Sequence, residues 1–285
     1  HGVGAKREIF SRNIAHLHSS YAEIMDKIFP DLELGLELIA IHWRDLLLSL
    51  ESHARLLTTI PKTVAGEKNP LREFMVDKVV DFMYYSHDRH RRVILRHVAH
   101  KLNVQYAQFR DRQPDFHGPI SIYAHSLGSV IIYELLARRA FEDPALLKAE
   151  GIWLDFNVST FFAIGSPLAQ FLNVEPELGI TLLPLKLPFR VFNIFHPNDP
   201  VAMRLEPLLL ESMTHVSPVT LPYWWTMDRH RSTVRWLGSI WGGGNNTAAP
   251  AAASAAAAAT SSSDEAMISE MELDGDDDDD GGGNG

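Results

Sequence analysis

The sequence predicts an α/β protein, a mostly parallel sheet with helices on both faces. Three observations carry that prediction. Residues 118–136, GPISIYAHSLGSVIIYELL, switch from the two-residue alternation of a strand to the four-residue spacing of a helix. Short apolar runs at 36–43, 157–164 and 189–195 alternate with longer stretches of helical character, the pattern of parallel strands joined by crossovers. Two residues with chemistry to offer, Ser126 and Asp199, directly follow predicted strands, at the carboxyl ends where such sheets hold their sites.

The chain opens on His1-Gly2-Val3-Gly4. In many α/β-hydrolases an HG-containing loop after an early strand donates a backbone N–H to an oxyanion, though by itself HGxG is equally a plain glycine turn. Because the chain begins at His inside this motif, it reads as a fragment whose first strand lies upstream. Residues 36–43, LELIAIHW, read as a buried strand. Residues 46–60 have helical character and stop before Pro61, and 63–70 form a polar loop. Helix signals dominate 71–109, with Phe74, Val79, Phe82 and Met83 in one run and Val93, Ile94, Val98 and Leu102 in the next. His97 and His100 stand one helical turn apart, a spacing seen in metal sites, but no third ligand is near them in sequence. They are read as a solvated or satisfied pair, as are His16 and His18; neither a metal nor a cofactor is assigned.

In the central stretch, Ile120, Ile122 and Ala124 alternate with Ser121 and Tyr123. Beyond Ser126, Leu127, Ile131 and Leu135 recur every four residues, and Val130 and Ile132 broaden the apolar face. Arg138 and Arg139 suit the negative end of that helix. Strand, tight turn and helix therefore meet at Ala124-His125-Ser126-Leu127-Gly128, the small-x-Ser-x-Gly pattern of the α/β-hydrolase nucleophile elbow. So sharp a turn crowds the positions two before and two after the serine, which is why small residues are needed there. A serine that merely caps a helix would show the same bare pattern; the strand before it and the amphipathic helix after it favour the elbow. The N–H of Leu127, at the helix start, is then a candidate oxyanion donor, with a second from Gly2, Val3 or Gly4.

The predicted strand at 157–164 ends in Gly165-Ser166-Pro167, and the one at 189–195, FRVFNIF, runs into His196-Pro197-Asn198-Asp199-Pro200. Asp199 follows Ser126 in the chain order Ser, Asp, His expected of the fold and is the candidate triad acid; a turn residue before proline is its plainer role. Residues 221–241 interleave Tyr223, Trp224, Trp225, Trp236 and Trp241 with Arg229, His230, Arg231 and Arg235, either a membrane-interface patch or packing at a domain edge. Residues 243–285 hold ten acidic side chains and no Lys or Arg, so the net charge of −10 belongs to this segment and the preceding 242 residues balance at 26 against 26. That balance argues against a nucleic-acid-binding field. The segment's Ala, Ser, Gly and Asp composition cannot bury enough surface to order itself, giving a domain over 1–242 and a disordered acidic tail over 243–285. The chain has no cysteine, which excludes thiol catalysis and a disulfide framework.

In this order, the blocks HGVG, IAIHWR, LNVQYAQFRDRQPDFHG, SIYAHSLGSVIIYELL, FFAIGSPLAQFL and FNIFHPNDPVAMRLEPLL resemble the intracellular phospholipase A family that carries a DDHD domain, the phosphatidic-acid-preferring type. The resemblance covers residues 1 to about 207 and is looser over 208–242, with the DDHD portion at about 154–242. It implies an α/β-hydrolase-like sheet, incomplete at both ends. It also implies a serine-dependent hydrolase that cleaves the sn-1 acyl ester of phosphatidic acid and related glycerophospholipids. Such an enzyme is cytoplasmic and acts peripherally on intracellular membranes, with a phospholipid as substrate. The family's nucleophile falls on Ser126, its HG loop on His1 to Gly4 and the first Asp of its DDHD signature on Asp199, while Ala124 replaces the usual Gly. The later R-[IV]-D-[YF] and S-H-x-x-Y-W elements have no counterpart here. The resemblance therefore puts the catalytic histidine beyond Gly285, with His215 and His230 as possible substitutes, and implies impaired hydrolysis by these 285 residues. Two readings from other classes stand beside it: a non-catalytic phospholipid-binding or trafficking module using the surface near Trp224 to Arg235, and a metal-dependent phosphoesterase with His196 and Asp199 as ligands.

Overall fold

The computed structural model describes residues 1–4, 7–32, 35–49, 55, 80–174 and 187–221, all of them within one compact unit, His1–Trp224. Most of the predicted 46–60 helix, the 63–70 loop, residues 71–79 of the 71–109 run, the tryptophan-arginine stretch beyond Leu221 and the tail lie outside the described residues.

Three parallel strands, β1 (Ser121–His125), β2 (Thr160–Ile164) and β3 (Arg190–Ile194), form a sheet in the order β1-β2-β3. Its register aligns Ala124, Ala163 and Asn193 across the three strands, and His125, Ile164 and Ile194 at the last row. All three chains thus leave the sheet at the same edge. The predicted strands at 157–164 and 189–195 are each shortened at the start, but their ends agree within a residue.

Around the sheet lie α1 (Arg7–Ile28), α2 (Asp45–Ser49), α3 (Val80–Ser86), α4 (Asp88–Arg112), α5 (Leu127–Phe141), α6 (Pro144–Glu150), α7 (Leu168–Val174), α8 (Glu206–Leu209) and a 3₁₀ turn (Glu211–His215). The helix α5 is central. Every residue from Leu127 to Ala137 is buried, so it is wrapped on all sides rather than laid on the surface by one stripe. It packs beside Ala124, Phe161 and Ala163 from one face of the sheet and Ile94, Leu95 and Val98 from α4. Short helix α6 is set by local chemistry: the Asp143 carboxylate accepts from the N–H of Ala145 at 2.8 Å, Pro144 opens the helix, and Gly151 ends it in the left-handed conformation.

One expectation needs correction. Residues 36–43 form no strand; the segment is irregular, with Leu36 and Ile39 exposed, and it is anchored at its end by buried Trp43. Its apolar run has the composition of a strand, but no ladder pairs it with edge strand β1, and apolar composition alone does not create a hydrogen-bonding partner. The two faces of the sheet differ among the described residues. The Ala124 face is buried, whereas Tyr123 on the opposite face is 56% exposed and Phe162 stacks on Phe192 with ring centroids 5.3 Å apart. Among the described residues, the core therefore closes on one face of the sheet, and the architecture is a mixed α/β one with a small parallel sheet. No described helix is long and apolar enough to cross a membrane.

Candidate active site

The turn between β1 and α5 is sharply bent at Ser126. Ser126 has φ 53° and ψ −129°, and among the described residues it is the non-glycine residue with positive φ. That region is nearly closed to side chains larger than hydrogen and persists only where the surroundings enforce it. Several contacts enforce it here. The N–H of Ser126 donates to the carbonyl of Ile164 at 2.9 Å, tying the turn to the end of β2. The Ser126 carbonyl accepts from the Ser129 N–H at 2.9 Å and from the Ser129 hydroxyl. Beneath the turn, the Ser129 and Ser166 hydroxyls are 2.6 Å apart, both fully buried. The Ser126 residue itself is partly exposed, and Leu127 begins the helix with its side chain buried.

The opening loop lies against this serine. A β-carbon added to Gly2 would come 2.6 Å from Ser126 Cβ and 3.1 Å from its Oγ. One added to Gly128 would meet the His1 carbonyl oxygen at 2.5 Å. Neither position has room for a side chain, so the loop and the first turn of α5 are in backbone-to-backbone contact. Trp43 holds the loop from the other side: its indole N–H donates to the His1 carbonyl at 2.8 Å, and its backbone N–H donates to the His1 ring Nε2 at 3.0 Å. With Nε2 accepting, the ring's Nδ1 is left to donate to the Gly2 carbonyl at 2.9 Å. The two rings stack with centroids 5.2 Å apart.

Asp199 sits in the turn after β3. One carboxylate oxygen accepts from the N–H groups of Val201 at 2.9 Å and Ala202 at 3.2 Å. The other approaches Gly165, whose φ is 52° and whose added β-carbon would lie 2.9 Å from it. The β2 and β3 ends are joined there, because the Gly165 N–H donates to the Ile194 carbonyl at 2.8 Å. His125 bridges the two halves of the site. Its Nδ1 is 3.2 Å from the point where a Gly2 β-carbon would be, and its Nε2 is 3.5 Å from the corresponding point at Gly165.

Ser126, Leu127, the Gly2–Gly4 loop and Asp199 are thus gathered at one edge of the sheet. His215 ends the exposed 3₁₀ turn, whose carbonyls at Met213 and Thr214 accept from Arg204, as does that of Val216 just beyond it. His230 lies outside the described residues. Of the proposed metal ligands, His196 Nδ1 accepts from the N–H of Asn198 at 3.1 Å, and Asp199 Oδ1 is occupied as above. Among the described residues no group of three His, Asp or Glu side chains is placed to hold a metal ion. A cavity of about 510 Å³ lies away from Ser126, between α1, residues 40–42 and α4.

Sequence reasoning missed the supports of this site. His125 and Ser129 stand within three residues of Ser126, and their roles follow once the turn is drawn. Arg44 and Asp81 are the harder case: both are buried, and Asp81 Oδ2 accepts from Arg44 Nε at 2.8 Å and from the Gly4 N–H at 2.8 Å. Their only signal in the chain is a charge set in an apolar run, IAIHWRDLLL and VDKVVDFMYY. Deeper still, the buried Glu134 carboxylate accepts from the Tyr85 hydroxyl at 2.6 Å, and burial raises its pKa despite that bond and nearby Arg91.

Comparison with known proteins bears on this site. Residues 154–277 match the DDHD domain family. Over 271 aligned residues the chain is 30% identical to the intracellular phospholipase A1 of Caenorhabditis elegans, an alignment covering 78% of this chain and 32% of that protein. It is 28% identical over 285 residues to phospholipase DDHD1 of Mus musculus, covering 80% of this chain and 51% of that one. Over 149 residues it is 28% identical to the triacylglycerol hydrolase DDHD2 of Homo sapiens, covering 49% and 20%. The chain therefore spans a third to a half of the length of the first two. No solved structure matches it.

Proposed function

This chain is a relative of the DDHD-domain phospholipases, and we propose that it acts on phospholipid acyl esters through Ser126, phosphatidic acid being the substrate its resemblance favours. The single observation that supports the reading most is the strained Ser126 backbone with the Gly2 loop pressed against its hydroxyl. In this reading Ser126 Oγ attacks the acyl carbonyl and the developing oxyanion is met by the N–H of Leu127 and that of Gly2 or Val3, the Gly4 N–H being already given to Asp81. A histidine oriented by the Asp199 carboxylate takes the serine proton and returns it to the leaving glycerol oxygen. Water then repeats the attack on the acyl-serine, releasing the fatty acid. Removing one oxyanion donor costs roughly a hundred- to a thousandfold in rate. The substrate lies in a bilayer, so the protein works at a membrane surface.

A fluorophosphonate probe tests the chemistry directly. Its covalent adduct is expected on Ser126 and absent in Ser126→Ala; hydrolysis of phosphatidic acid vesicles by these 285 residues is expected to be weak, with free fatty acid as its product. Release of inorganic phosphate with no adduct at Ser126 would instead favour the phosphoesterase reading.

A further inference from the structure

The loop that faces Ser126 is held by a buried charge some distance along the chain. Gly4 adopts the left-handed conformation at φ 63°. That turns its N–H toward Asp81 Oδ2, which accepts it at 2.8 Å in a buried bond. The same oxygen accepts from Arg44 Nε at 2.8 Å, and the two side chains are 0% and 2% exposed. Arg44 directly follows Trp43, whose indole and backbone N–H groups grip His1. Both ends of the four-residue loop are therefore fastened to one short region, by Trp43 at the start and by the Arg44–Asp81 pair at the finish. Gly2 between them meets the nucleophile.

A carboxylate taken out of water is favoured only when charge-assisted hydrogen bonds replace its hydration. A buried ion pair is weak grounds for stability in itself, since well-packed apolar residues often serve as well or better. Its retention here, on the oxygen that also receives the Gly4 N–H, suits a fixed geometry: the charged acceptor draws one N–H of the loop inward and so sets the direction of the others. We propose that Asp81, held by Arg44, is a positioning residue that fixes the Gly2–Gly4 loop against Ser126 and so sets the oxyanion-binding geometry. The inference rests on the acyl-hydrolase reading only for its consequence in rate; the anchoring itself is a property of the loop.

The test uses two folded backgrounds and two readouts. Removing one partner alone takes a charge-assisted bond from a buried charge and risks unfolding, so the pair is replaced together, as Arg44→Met with Asp81→Leu and, conservatively, as Arg44→Met with Asp81→Asn. The first removes the acceptor for the Gly4 N–H; the second keeps an oxygen there without the charge. Hydrogen exchange at the Gly4 amide is expected to accelerate at least tenfold in the leucine variant, and to return toward the parent rate in the asparagine variant. Exchange at the β1–β2 ladder should stay unchanged in both. Fluorophosphonate modification of Ser126 should fall tenfold or more in the leucine variant and recover in the asparagine one. A leucine variant with parent-like exchange at Gly4, or with parent-like Ser126 modification alongside a loosened loop, overturns the proposal. If the loop loosens as expected but the parent chain forms no adduct at Ser126, the anchoring stands and the acyl-hydrolase reading fails.

Discussion

At the scale of single residues, Ser126 joins a strained backbone to the hydroxyl proposed as nucleophile. Its φ of 53° and ψ of −129° suit glycine, yet a glycine there would have no hydroxyl. Ser126→Gly is therefore expected to raise unfolding stability by about 1 kcal/mol, strain relief of ~1–3 kcal/mol being partly offset by glycine's greater chain entropy. It should abolish probe labelling at the same time. Ser126→Ala loses the labelling without the relief, because its β-carbon remains. Urea unfolding of the three proteins checks this, and a glycine variant less stable than the alanine one would contradict it. The residue types at this turn were readable in the chain, since Ala124, Ser126 and Gly128 are adjacent in sequence and the turn's crowding is local. The need for glycine at positions 2 and 165 was not, because their neighbours Ser126 and Asp199 come from other segments.

At the scale of elements, α5 and α6 separate two kinds of helix stability. The side chain of Ile131 is 1% exposed in the middle of α5, so Ile131→Ala should cost about 2–5 kcal/mol through lost burial and a cavity. Asp143 holds the start of α6 through one exposed hydrogen bond to Ala145, so Asp143→Ala should cost about 1 kcal/mol. Chemical denaturation of both variants measures the ratio, and comparable losses would mean that α5 is less tightly held than its burial indicates. The periodicity of 127–135 foretold α5 but understated it: an amphipathic stripe was expected, whereas Ser129, Tyr133 and Glu134 are also buried. Ser129 and Glu134 are satisfied by Ser166 and Tyr85, partners that no helical period reveals. The 36–43 run failed as a strand for a related reason, since a strand is defined by what pairs with it.

At the scale of the whole molecule, stability should fall as the solution becomes mildly acidic. Burial lowers the pKa of His97, with Lys101 and His100 adding to the effect and Asp45 opposing it. Its Nε2 is buried with no hydrogen-bond partner among the described residues. Burial likewise lowers His90, with His87 and Arg89 adding. A histidine whose folded pKa lies below its unfolded value of about 6.5 takes up its proton more readily when unfolded. The stability it contributes is complete above that value and is lost as the pH falls through the folded pKa. Urea midpoints measured between pH 7 and 5 should therefore decline, and His97→Phe should flatten the decline; an unchanged slope would remove His97 as a cause. What the chain determined by itself was local: a strand giving way to a helix across a small-x-Ser-x-Gly turn, two further strand ends, and a carboxylate after the last of them. Tertiary structure alone decided that three strand ends share one edge, that Gly2 touches the serine, and that Arg44 and Asp81 meet beneath the loop. Backbone periodicity is written in neighbouring residues, whereas a contact between residues 4 and 81 exists only after the chain between them has folded.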